Sequence, residues 1–368
     1  MIDVLIVDDT LVGQGLLRGI LSEDPAFRVV GIAQNGRQAV EMVQSLKPHV
    51  VSMDIYMPVM DGVEATKKIM QTTPVPIVIV SSFYNSSEVQ MSFNILKAGA
   101  LTILPRPFGP GHPQYLQTAR TYRNTLKMMA VVKVGLHKAP KPLPSGRSAP
   151  VNSAEAGIKP SPPPSKPQTV VITNKIAMKP GRVIAIGASA GGPQAIQAIL
   201  SGLDVSLPVP VMIVQHIDSH FAEGFRDWLQ SNSKLPVHTA VHGQVMQPGH
   251  AYLAPGDRHL GVLQPGVAAV SDEPAEKGLR PAVSYLFRKV QEVYLSEAVA
   301  ILLSGMGTDG ASELKLLYDA GAFTIAQDSE SSLVHGMPGE AIRQGGVSLI
   351  SNPESISMHL NELYTIIK

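Results

Sequence analysis

The chain has 368 residues, which at ~100–200 residues per domain is room for two or three domains, each with its own core, and excludes a mini-protein or a coiled coil. Apolar residues make up 44% and charged residues 16%, and 30 Lys plus Arg against 29 Asp plus Glu leave a formal net charge of +1, so no general attraction to nucleic acid or to a membrane surface follows. There is no cysteine, which excludes disulfides, thiol nucleophiles and thiolate metal sites, fits a reducing cytoplasm, and leaves histidine, serine and carboxylates to carry any chemistry.

The N-terminal residues Met1-Ile2-Asp3-Val4-Leu5-Ile6-Val7 lack the basic start and long apolar core of a signal peptide. No apolar run reaches the ~18 residues of a membrane span, which predicts a soluble cytoplasmic protein without membrane insertion. From there short β-branched runs alternate with stretches of helical period: VLIV and LVGQGLLRGIL, RVVGIA and GRQAVEMVQSL, HVVSM and GVEATKKIM, PIVIV and SSEVQMSFNILKAG, LTIL and QYLQTARTYRNTLKMM. Five strand and helix pairs in strict alternation predict a five-stranded parallel sheet with helices on both faces, over residues 1–130.

In an open parallel sheet of order 2-1-3-4-5, strands one and three meet at the switch point, and ligands sit beyond their carboxyl ends. Strand one runs into Asp8-Asp9 and strand three into Asp54, followed by Pro58 and Asp61-Gly62. Three carboxylates in one crevice repel each other unless a cation joins them, and hard oxygen donors suit Mg²⁺. A metal-neutralised aspartate can accept a phosphoryl group. A hydroxyl after strand four, Ser81 or Ser82, and the guanidinium of Arg106 after strand five could contact its oxygens. Asp8-Asp9 alone reads equally as the cap of the next helix.

Taken together these positions resemble a two-component response-regulator receiver of flavodoxin-like fold. The resemblance implies that Asp54 is phosphorylated by a partner histidine kinase, that Asp8, Asp9 and Asp54 bind Mg²⁺, and that Ser81 and Arg106 form the switch. Receivers usually carry Lys where this chain has Arg106, an aromatic where it has Ile103, and often an acid where it has Tyr56.

From Lys133 to Pro180 the chain turns to KAPKPLPSGRSAP and IKPSPPPSKPQ. Such composition cannot bury enough surface to offset its ordering entropy, and residues 131–180 read as an extended, semi-rigid linker. Beyond it, residues 181–368 repeat the α/β pattern with VIAIG, VPVMIVQH, AVAILLSG and FTIAQ. The stretch HTAVHGQVMQPGHAYLAPGDRHLGVLQPGVAAV reads as inserted antiparallel hairpins with Pro-Gly and Gly-Asp turns. The second domain is therefore a doubly wound α/β unit with a hairpin insertion.

VIAIG enters Gly187-Ala188-Ser189-Ala190-Gly191-Gly192-Pro193 and a helical stretch. On its own this reads equally as a nucleophile elbow, a phosphate loop or a plain tight turn. A serine nucleophile needs a base, and the base an acid to fix its tautomer. His216 ends a neighbouring strand, and Asp309 follows the strand AVAILL, so all three residues share one face of the sheet. The order Ser, His, Asp is not that of the α/β-hydrolases.

GASAGG, VQH, YLAPGDRHL, Arg280-Pro281, GMGTDG, TIAQD and HGMP, in this order and behind a receiver and linker, resemble the chemotaxis protein-glutamate methylesterase (CheB) family. That resemblance implies hydrolysis of glutamate methyl esters on chemoreceptors and deamidation of receptor glutamines. It assigns Ser189 as nucleophile, His216 as base, Asp309 as orienting carboxylate and Met306 as a lining residue, with no cofactor for ester hydrolysis. The family's Thr after the nucleophile is Ala190 here, and its Met-Pro after the histidine is Ile217-Asp218. His238, His242, His250 and His259 are read as structural rather than metal ligands. An unphosphorylated receiver packed over the effector site would make phosphorylation an activating switch. A serine hydrolase or amidase acting outside chemotaxis, and a phosphorylation-controlled binding protein, are the competing readings.

Overall fold

The first sheet of the computed structural model, which describes residues 1–81, 93–132, 134 and 181–365, has the order β2-β1-β3-β4-β5 expected from the alternation. Its strands are β1 (Ile2–Val7), β2 (Phe27–Ala33), β3 (Val50–Met53), β4 (Ile77–Ser81) and β5 (Thr102–Pro105), all parallel. Helices α1 (Leu11–Ser22), α2 (Gly36–Leu46), α3 (Gly62–Thr72) and α4 (Tyr115–Met129) cover both faces. Each start has a local reason. Thr10, not either aspartate before it, caps α1 through Gly13 N, and Asp61 caps α3 through Glu64 N. The first half of the helix expected over SSEVQMSFNILKAG, the residue Ser82 and almost all of the expected linker lie outside the described residues; residues 93–97 are helical.

The second sheet has seven strands in the order β14-β13-β12-β6-β7-β9-β8: β6 (Val183–Ala188), β7 (Val211–Gln215), β8 (Val237–Thr239), β9 (Ala251–Leu253), β12 (Ala298–Leu302), β13 (Phe323–Gln327) and β14 (Leu349–Ser351). Every pairing in it is parallel. The helices around it are α5 (Gly192–Gly202), α6 (Ser219–Asn232), α7 (Val283–Tyr294), α8 (Ala311–Asp319), α9 (Met337–Arg343) and α10 (Pro353–Thr365). The hairpin expectation holds only for β10 (His259–Gln264) and β11 (Val267–Ser271), which pair antiparallel apart from the main sheet. Upstream, β8 and β9 join the main sheet in parallel, because the stretch between Thr239 and Ala251 is too long for a tight turn and long enough for a crossover.

The strand order places the crevice. β6 lies between β12 and β7, so the chain leaves the carboxyl ends of these three neighbours into one shared space. Under that crevice the backbone of β6 sits close to α7: a Cβ at Gly187 would overlap the Val283 side chain. Residues 93–101 bring the two sheets together. Phe93 packs in tilted contact with Phe225 and Trp228, ring centroids 5.3 and 5.5 Å apart, Lys97 lies over the Trp228 ring and Gln194 Nε2 donates to Leu96 O at 3.2 Å.

Gly187→Ala is expected to push α7 off β6 and to lower stability by about 1–3 kcal/mol, read from chemical denaturation followed by the fluorescence of the single tryptophan, Trp228.

Candidate active site and acidic pocket

Ser189 leaves β6 in a turn whose glycines have different tasks. Gly191 has φ +79°, the left-handed conformation that closes the turn. Gly192 opens α5 and its amide donates to Ser189 O at 2.8 Å, while Ser189 N donates to Ser304 O at 3.0 Å. Strand, tight turn and helix are the context that a nucleophile elbow requires. His216 follows β7, with its amide on Ala188 O at 2.9 Å. Asp309 comes from the loop between β12 and α8. In that loop Gly305 abuts Ser189 so closely that a Cβ there would stand 2.8 Å from Ser189 Cβ.

His216 Nε2 and Asp309 Oδ2 are 2.8 Å apart, with side chains 11% and 5% exposed. The carboxylate also accepts Val283 N at 2.6 Å and Ser284 N at 3.0 Å, the two amides that open α7. Burial alone would push this carboxyl up, but the hydrogen bonds from His216 and the two amides hold it at about 2. A group with a depressed value contributes stability above its unfolded value of 3.8 that is lost as pH falls through about 2. Asp309 is therefore ionised throughout the range in which an imidazole titrates. Nε2 is committed to Asp309, which leaves Nδ1 to accept a proton; among the described residues the Ser189 hydroxyl makes no hydrogen bond to the ring. Met306, 45% exposed, stands in the same loop as Asp309. The other histidines are held elsewhere: His238 Nε2 meets His250 Nδ1 at 2.9 Å, His242 Nδ1 lies 3.0 Å from Val270 O, and buried His259 takes Ala282 N on Nδ1.

In the first sheet, carboxylate oxygens of Asp8, Asp9 and Asp54 lie within 4.8 Å of one another. Arg106 enters this pocket, with one nitrogen 2.7 Å from Asp8 Oδ2 and 2.6 Å from Asp54 Oδ2. Ser81 is 1% exposed, and its hydroxyl has no hydrogen-bond partner among the described residues. Burial pushes Asp54 up to about 6, against the guanidinium of Arg106 and with Asp8 adding to the rise. Three hard oxygens at this spacing fit a small divalent cation that keeps some of its waters, and the orphaned Ser81 hydroxyl fits an anion arriving at Asp54.

Between the two sites, Ala190, Leu333 and Val334 pack against the core of the first sheet. A cavity of about 500 Å³ lies here, lined by Leu96, Lys97 and Leu101 on one side and Gly191, Gln194 and Leu333 on the other. All of the sequence-derived site residues thus fall in two places: Ser189, His216, Met306 and Asp309 in one, Asp8, Asp9, Asp54, Ser81 and Arg106 in the other. The sequence reading missed Ser304, Gln215 and Ser284. Their only trace there is adjacency to a motif residue, Gln215 directly before His216 and Ser304 at the head of GMGTDG.

Comparison with known proteins gives two family matches, a CheB methylesterase domain over residues 184–360 and a response regulator receiver domain over residues 4–114. A protein-glutamate methylesterase/protein-glutamine glutaminase of Geobacter metallireducens is 45% identical over 99% of both chains. One of Nitrosospira multiformis is 44% identical over 99% of this chain and 97% of its own. The crystal structure of the Thermotoga maritima CheB methylesterase catalytic domain, 34% identical, covers 50% of this chain and 98% of its own with a TM-score of 0.48.

The raised value of Asp54 carries a sign. Between about pH 4 and pH 6 the folded protein holds a proton that the unfolded chain has released, so this carboxyl favours folding at low pH and the benefit is lost as pH rises through about 6. Asp54→Asn is expected to be the more stable protein at pH 7 without Mg²⁺, by up to ~3 kcal/mol, and the difference should close below about pH 4 in denaturation curves taken across pH.

Proposed function

The chain belongs to the CheB methylesterase family, and on that premise we propose that it is a phosphorylation-regulated protein-glutamate methylesterase and protein-glutamine glutaminase acting on chemoreceptors, with residues 1–130 as receiver, 131–180 as linker and 181–368 as catalytic domain. The observation that carries the reading is the His216–Asp309 hydrogen bond placed beside the nucleophile turn of Ser189. In the first step Nδ1 of His216 removes the Ser189 proton as the oxygen attacks the ester carbon. The imidazolium formed is stabilised by Asp309, which α7 keeps ionised and fixed. The same proton passes to the departing methoxide, which leaves as methanol, or to the departing amine of a glutamine, which leaves as ammonia. His216 then activates a water to release the glutamate.

In the receiver, Asp54 is the acceptor of the phosphoryl group from a sensor histidine kinase. Asp8, Asp9 and Asp54 would hold Mg²⁺, which supplies charge neutralisation for the transfer when bound. Ser81, buried and without a hydrogen-bond partner among the described residues, and Arg106, already within reach of Asp54, would take the phosphoryl oxygens. Regulation is read from the packing of Ala190, Leu333 and Val334 beneath the receiver, which supports an unphosphorylated state that restricts access to Ser189. Ser81 ends β4, and the chain runs from there to Phe93 at the contact with Trp228, so the switch hydroxyl and the interface lie on one connection.

Ser189→Ala is expected to abolish methanol release from methyl-labelled receptor membranes under phosphodonor and Mg²⁺ while phosphorylation of Asp54 continues; retained turnover would sink the triad. Phe93→Ala removes two aromatic pairs from the interface and should raise turnover without phosphodonor roughly tenfold. An unchanged basal rate, with Trp228 fluorescence also unchanged, would count against the regulatory contact.

A further inference from the structure

Gln215 is the last residue of β7 and is 5% exposed. Its amide nitrogen donates to Ser189 O at 2.8 Å and to His216 O at 2.9 Å. A primary amide has two N–H groups, and here both go to the backbone carbonyls of the two residues between which the reaction moves a proton. The opposite orientation of the amide would set its oxygen against two carbonyl oxygens, so the hydrogen-bond pattern fixes which atom is which. The oxygen, Oε1, points the other way. It is buried, has no hydrogen-bond partner among the described residues, and sits where a Cβ at Gly192 would overlap it. Leaving a buried amide oxygen unpaired costs about 1–3 kcal/mol. The chain accepts that cost beside a glycine that makes room for it. Ser189 O is held twice, by Gln215 Nε2 and by Gly192 N, so the backbone on the helix side of the nucleophile has little freedom.

From this arrangement we infer that Gln215 is a positioning residue of the hydrolytic reaction, a clamp that sets the turn carrying Ser189 against the turn carrying His216. This rests on the assignment of Ser189 and His216 as nucleophile and base. Gln215 touches neither substrate nor a reacting atom; it acts by holding the distance over which the proton moves, and an error of about 1 Å there is worth on the order of a hundredfold in rate. Its loss should therefore appear in kcat and leave the affinity for the receptor alone.

The test uses full-length protein activated by phosphodonor and Mg²⁺. Gln215→Glu keeps the shape and loses both donors when ionised, Gln215→Met keeps the length and loses all polarity, and both are compared with wild type and with Ser189→Ala. Expected are a kcat on methylated receptor membranes and a rate of Ser189 labelling by a fluorophosphonate that both fall about 10- to 100-fold, with KM within about twofold and a cooperative unfolding transition retained. The deficit of Gln215→Glu should narrow as pH falls, because a protonated carboxyl regains one O–H donor, while that of Gln215→Met stays level. Rates within about twofold of wild type in both variants would overturn the inference, as would a loss equal to the fraction of unfolded protein or parallel pH profiles for the two. If Ser189→Ala keeps its turnover, the triad itself has failed; if Ser189→Ala is inactive and the Gln215 variants are not impaired, the triad stands and the clamp alone is wrong.

Discussion

A parallel sheet sends every strand out through the same edge, and both halves of this molecule must solve the electrostatic problem that edge creates. Side chains from neighbouring strand ends converge in a crevice that is partly cut off from water, where an ionised group is costly unless something compensates it. In the second sheet the compensation is made of dipoles: two amides at the start of α7 and the His216 ring surround Asp309, and the carboxyl stays ionised despite its burial. In the first sheet Asp54 accepts one backbone amide, Ile55 N on Oδ1 at 2.7 Å. The Arg106 guanidinium bridges it to Asp8, and burial still leaves its value raised to about 6. One carboxylate is thus held by two backbone amides and an imidazole, the other by one amide and a guanidinium.

The two crevices are linked by a short physical path. Leu333 lies against the core of the first sheet and also presses on Gly191, where an added Cβ would meet it at 2.5 Å. The Ser304 hydroxyl donates to Ala190 O at 2.6 Å and accepts Val334 N at 3.0 Å, while its carbonyl takes Ser189 N. Gln327 fixes Ser304 in turn, with its oxygen on Ser304 N and its nitrogen on Ser331. The loop that meets the receiver and the turn that carries Ser189 are therefore parts of one hydrogen-bonded body. The buried polar groups of Ser304 and Gln327 each have a partner in it.

The sequence was most informative where a residue acts by its chemical type at a strand end. Asp8, Asp54, Ser189, His216 and Asp309 are visible because alternation of strands and helices places their positions at strand ends. Arg106 was visible as a cation but not as a bridge between two aspartates, since that depends on a side-chain path. The glycines of GASAGG were legible as a turn, yet only Gly191 is one by its dihedral angle; Gly187 makes room for Val283 and Gly192 for Gln215. Those tasks are set by residues far away in the chain. The same limit explains β8 and β9, because a period of two marks a strand and does not say which way its neighbour runs.

The departures from the family pattern have local accommodations. Asp218, in the place of a proline, caps α6 by accepting His220 N at 3.0 Å, so the helix after His216 keeps a defined start. Ala190 gives up a hydroxyl beside Ser189, but its carbonyl is held by Ser304 whatever side chain it bears. Arg106 is the larger change, because a planar guanidinium needs more width than the ammonium of a lysine. The width is supplied across the pocket by Gly13, where any Cβ would overlap both Arg106 and the Asp8 carboxylate. Gly13 lies in the first turn of α1, a position at which glycine weakens a helix relative to alanine by roughly 0.5–1 kcal/mol. The missing side chain at residue 13 and the long one at residue 106 are thus two halves of one accommodation, and the guanidinium keeps its reach to Asp54 because the helix opposite has given up the space.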